Sequence, residues 1–257
     1  MKKSGLFVST FLLACGLSAA SQAQVSQKEA EKLRTTLTPL GGDRAGNKDG
    51  SIPEWRGGIQ FPPSGYKQPG QHHVDPFPSD QPLFEITSKN MAQYEKHLTE
   101  GQKSLLKTYP NSFKMPIYES RRTAAAPQWV YDNTYKNATR AKLVEGGNGI
   151  KNAIGGTPFP IPSSGIEVIW NHNTRWRGEY AVRRASEVAV QPDGTYSLIT
   201  TQAEVDYNFY KRGITQEELD NVLIYYLSFT KAPARLAGGA VLAHETMNQV
   251  SEPRRAW

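Results

Sequence analysis

The stretch from residue 41 to 82 sets the tightest limit on what this chain can become. Seven prolines fall between Pro53 and Pro82, glycines are scattered among them, and no apolar repeat of helical or strand period runs through. Proline has no backbone N–H and a fixed φ, so neither a helix interior nor a central strand can be built there. The segment is expected to be one long extended piece with polyproline-like stretches, laid over a domain made elsewhere. Trp55, Phe61, Tyr66 and Phe77 are the side chains available to anchor it.

On either side the texture changes. Ser26-Gln27-Lys28-Glu29 is a capping box, opening a short helix over 29–36. Met91, Tyr94 and Leu98 have helical spacing, Thr99-Glu100-Gly101-Gln102 caps another helix that Pro110 ends, and Pro127 opens a third over about 128–143. An irregular Gly/Pro loop covers 155–165, with a short helix over 165–171. Past Trp176 the pattern is β. Strands are expected over 180–190, 195–210, 222–229 and 235–249, with a turn at Pro192-Asp193-Gly194 and a bend at Gly238-Gly239. Helices followed by an antiparallel meander make an α+β chain. The last strand would begin near Ala256, one residue before the sequence ends, so the sheet is expected to be incomplete at its C-terminal edge.

Residues 1–23 read as a secretory signal. Lys2 and Lys3 form a positive start, Leu6 to Ala14 an apolar core, and Ser21-Gln22-Ala23 a small-residue cleavage site. Leu12-Leu13-Ala14-Cys15 also fits a lipobox, in which Cys15 would be lipidated; the apolar run continuing to Ala20 favours cleavage after Ala23. No segment is long and apolar enough for a transmembrane helix. Cys15 is the only cysteine, so residues 24–257 form a single domain without disulfides or thiol chemistry. The charge of +6 falls to +4 without Lys2 and Lys3, too mild to suggest nucleic acid.

Few residues point to chemistry. Asn47 to Ile52 imitates the centre of a calcium loop, but Ala45 and Arg56 stand where acidic ligands are needed, so a simple Asp-Gly turn is expected. His72 and His73 are adjacent on an extended chain and point apart. His172 and His244, with Ser163, Ser164, Asp206 and Glu245, lie in no catalytic motif, and no cofactor or metal is implied. The strand aromatics are more suggestive. Tyr207, Phe209, Tyr225, Tyr226 and Phe229, with Trp170, suit either ordinary sheet core or the lining of an apolar ligand site.

Several strings are specific: Thr38-Pro39-Leu40-Gly41, Arg44-Ala45-Gly46-Asn47, Gly155-Gly156-Thr157-Pro158-Phe159-Pro160-Ile161-Pro162, Trp170-Asn171-His172 and Glu252-Pro253-Arg254-Arg255-Ala256-Trp257. With these the chain resembles a family of Gram-negative exported proteins that carries a domain of unknown function, labelled outer-membrane lipoprotein-sorting-like. The resemblance implies a lipoprotein-carrier-like fold, a curved antiparallel sheet forming an incomplete half-barrel with helices on its concave face. It also implies an association with exporters of hydrophobic compounds, no catalytic residues, and members that continue beyond the position of Trp257. The expected function is a non-catalytic periplasmic carrier of a lipid or acyl chain, with outer-membrane association left open. The alternative is an adaptor of an envelope transport assembly that docks a transporter or outer-membrane protein through residues 53–82.

Overall fold

A computed structural model describes residues 25–257; Cys15 and Ala23 lie outside the described residues. Local capping explains most helix starts. Ser26 and Glu29 exchange hydrogen bonds at the head of α1 (Gln27–Ala30), which runs on as a 3₁₀ turn over Glu31–Arg34. Ala30 and Leu33 bury against Ala138 of a later helix.

Residues 41–82 contain no helix or strand. The first half of this strap is fastened by Arg122, whose guanidinium donates to the backbone carbonyls of Asp43, Arg44, Ala45 and Pro53. Trp55 is buried, and its Nε1 donates to Ala124 O at 2.9 Å. Gly58 sits at φ +67°, with no room for a Cβ beside the Ala124 carbonyl, so only glycine passes that point. Phe77 lies under the Arg121 guanidinium, which is itself paired with Asp80. Tyr66 stacks on His73 within the strap itself. Phe61, expected as an anchor, is 83% exposed.

Beyond the strap, β1 (Phe84–Ile86) pairs antiparallel with a later β2 (Met115–Ile117). Between them run a 3₁₀ helix over Met91–His97 and α2 (Glu100–Thr108), opened by the Thr99–Gln102 capping box. Ile86, Leu98 and Leu106 give this unit a small core of its own. Next, α3 (Gln128–Arg140) stops short of residue 143. Ala141 is extended, and β3 (Lys142–Leu143) turns back to pair with β4 (Ile150–Lys151). The loop after β4 has no regular structure and is held by Asn137, whose amide donates to Ile154 O and Gly156 O and accepts from Ile154 N. Then comes α4 (Gly165–Asn173).

The sheet is an open antiparallel meander, in the order β5 (Tyr180–Val190), β6 (Tyr196–Asp206), β7 (Ile224–Ala232), β8 (Ala240–Glu245) and β9 (Arg255–Ala256). One further helix, α5 (Gln216–Asn221), lies between β6 and β7. The fold is therefore α+β. Cross-strand register defines two faces. Ala181, Val205, Tyr226 and Ala243 stand opposite one another on the inner face, toward the helices. Val182, Glu204, Leu227 and Leu242 share the outer face.

Three expectations are corrected. β6 ends at Asp206, not at 210; Tyr207 leads into a 3₁₀ turn over Asn208–Tyr210, so Tyr207 and Phe209 are not strand residues. The turn is pinned where Asn208 Nδ2 donates to Val222 O at 2.9 Å and Phe209 N to Leu223 O at 3.1 Å. β7 starts at Ile224 because α5, under a Thr215–Glu218 capping box, precedes it. β8 starts only at Ala240, since Gly238 and Gly239 form the turn closed by Thr230. The main core sits under the near end of the sheet. Val130, Ile150, Phe159, Trp170, Phe209, Tyr210, Leu219 and Met247 meet there. Each fully buried side chain of this size stabilises the fold by about 1.5–3 kcal/mol.

Candidate ligand-binding site

A cavity of about 570 Å³ opens between α4, the segment after it, and the inner face of the sheet. Its construction begins at Ser163 and Ser164. Ser164 Oγ accepts from Glu167 N, and the Glu167 carboxylate reaches back to Ser163 N and Oγ. Both serines are thus spent on starting α4. The helix then carries Trp170 inward, where its Nε1 donates to Gly147 O at 2.9 Å. Thr174 Oγ1 closes the last turn on Trp170 O at 2.8 Å.

The chain leaves α4 through a run of cations. Arg175 Nη1 donates to His172 O at 2.7 Å and lies 3.2 Å from His172 Nε2. The Arg177 guanidinium sits over the Tyr207 ring, 4.7 Å from its centre. Behind them Tyr210 donates its hydroxyl to Thr174 O and packs edge-on against Trp176. Burial drives the Tyr210 phenol far above its ordinary range, with Arg177 pulling weakly the other way.

The floor is apolar: Ala181, Val205 and Tyr226 across three neighbouring strands, with Tyr207, Leu223 and Ile224 at the near end. Arg183 rises from β5 at one rim. Glu245 and Arg254 form an ion pair of 2.7 Å at another.

The sequence candidates therefore separate. Trp170 and Tyr207 line the cavity. Phe209 lies beneath it in the core, 1% exposed. Tyr225 and Phe229 are on the outer face, because β7 alternates and it is Tyr226 that turns inward. His244 is on the outer face as well, edge-on between Tyr225 and Trp257. His172 stands at the cavity's edge, and among the described residues no hydrogen bond joins either histidine to a serine or carboxylate. Among the described residues no cluster of three metal-ligating side chains occurs, and no helix is long and apolar enough to cross a membrane. The arginines of the rim escaped the sequence reading. Their signal is Arg183 at two residues from Ala181, a spacing that puts both on one face.

The chain is 44% identical over its whole length to an uncharacterised protein of Pseudomonas aeruginosa, and it spans 56% of that relative's length. No solved structure matches it. A family model described as "Protein of unknown function (DUF1329)" matches residues 85–257, and the chain belongs to that family.

Proposed function

We propose that this protein is a non-catalytic periplasmic carrier that shelters a hydrophobic ligand, a lipid or acyl chain, in the cavity between α4 and the sheet. The observation that carries this reading is the floor: six apolar or aromatic side chains from three strands and the turn at Tyr207 face an open volume of about 570 Å³. Volumes of this size hold one small ligand, and here the apolar floor lies beside a polar wall that includes His172, Asn173, Gln249 and four arginines. The signal at residues 1–23 supports export as the setting.

The full chain, purified from periplasm and extracted with organic solvent, is expected to release a lipid detectable by mass spectrometry. Tyr226→Arg should empty it while the protein still melts cooperatively. Protein that is consistently empty and binds no apolar probe would overturn the reading.

The adaptor reading keeps one observation of its own. Phe61 projects from the strap almost fully exposed, and the outer face shows Val182, Leu198, Tyr196 and Trp257 to solvent. Exposed apolar groups of this kind mark contact surfaces. In-cell cross-linking from position 61 that recovers no envelope partner would remove it.

A further inference from the structure

The cavity's charge is lopsided. Four arginines line it, Arg175, Arg177, Arg183 and Arg254, against a single carboxylate, Glu245. Glu245 is already engaged by Arg254. Arg175 turns back onto the His172 carbonyl at the C-terminal end of α4, where a cation offsets the helix's partial negative charge. Arg177 and Arg183 remain. Arg177 rests on an aromatic face, and among the described residues neither guanidinium has a hydrogen bond or an ion pair to another side chain. These two guanidiniums stand beside the apolar floor formed by Ala181, Val205 and Tyr226.

We infer that the cavity takes a single-chain anionic amphiphile, its carboxylate or phosphate head held by Arg177 and Arg183 and its hydrocarbon chain laid on the inner face of β5–β7. Guanidinium forks match both kinds of oxyanion in two-point geometry, and bonds to charged groups are the strong ones. The volume suits one chain and one head. The inference rests on the carrier reading and adds to it the sign and class of the head group.

The test uses three ligands with one tail: dodecanoate, dodecyl phosphate and dodecanol. Each is titrated into the full-length chain, with displacement of a fluorescent apolar probe as the readout. Both anions, or one of them, should bind at least about tenfold tighter than the alcohol, the scale of one charge-assisted contact. Whichever anion leads identifies the source, a fatty acid or a phosphate-headed lipid. In the Arg177→Gln/Arg183→Gln double variant the preference should collapse to near parity, with dodecanol binding unchanged. Arg184→Gln, with the same charge loss on the outer face of β5, should keep the wild-type preference. Should Arg177→Gln disturb Tyr207, Arg183→Gln alone decides, because Arg183 has no hydrogen-bonding or ionic partner to lose among the described residues. Dodecanol binding as tightly as both anions would sink the head-group inference and leave the carrier intact. A probe that does not bind at all would take both readings down, whereas a bound probe that none of the three displaces would overturn the head-group inference alone.

Discussion

The two ends of the same strands live in different surroundings. Near the helices the inward-facing Ala203 is 3% and Ala243 1% exposed, while toward the far end of the β5–β6 hairpin the inward-facing Glu187, Ala189 and Ser197 are exposed and Ile199 is 36% exposed. Yet the ladder of pairs runs unbroken from Tyr180 opposite Asp206 to Val190 opposite Tyr196. Backbone pairing exchanges one set of hydrogen bonds for another with water and contributes modestly, whereas packing against the core removes apolar surface from water. The ladder therefore places residues at both ends, but the near end alone is held by burial.

Substitutions should expose that gradient. Phe209→Ala, in the core beneath the cavity, is expected to cost about 3–5 kcal/mol in a denaturant titration. A loss no larger than that of a surface substitution would break the comparison outright. Asn137→Ala should follow, at about 1–3 kcal/mol, because it strands the buried carbonyls of the loop that hydrogen-bonds Phe209. Tyr210→Phe comes next, at about 1 kcal/mol near neutral pH, for the lost bond to Thr174.

Tyr210 also sets a pH dependence. Its proton is held more tightly in the folded state than at the ordinary tyrosine value of 10.0. The resulting stabilisation is complete below that value and is lost as pH rises toward the folded-state value. Alkaline unfolding followed above pH 10 should therefore be shallower in Tyr210→Phe than in the wild type. The smallest effect belongs to the far end: Leu198→Thr should change stability by no more than about 0.5 kcal/mol. Hydrogen exchange sharpens the point, since amides at 186–190 should exchange faster than those at 181–183 of the same strand.

Local signals in the sequence were reliable. The Ser26–Glu29 and Thr99–Gln102 boxes both cap helices, and β5 has the expected ends at residues 180 and 190. Patterns that outlast their element misled. Val205, Tyr207 and Phe209 keep a strand's alternation past Asp206, although the chain has already turned to bury Asn208 against Val222. Thr215-Gln216-Glu217-Glu218 is a legible capping box, masked by the apolar run that follows it. The site was half legible for a related reason. Aromatic content suggested a lining, but Tyr225 and Tyr226 are neighbours in sequence and strangers in space, and only the register separates them. The arginines of the rim carry no motif at all; they meet because α4, β5 and the chain before β9 converge there.

The grip of Arg122 on the strap has an evolutionary corollary. All four of its acceptors are main-chain oxygens, which every amino acid possesses. Residues 43–53 can therefore change identity without loosening the clasp only where their side chains have no partner of their own; Arg44, stacked over Trp55, and Asn47 and Asp49, both bonded to Ser51, are not such positions. Gly46, and Gly58 beyond that span, are fixed as well, because backbone approaches too closely there for any side chain. A strap fastened in this way keeps its shape while its outward-facing residues remain free to be reassigned to new partners.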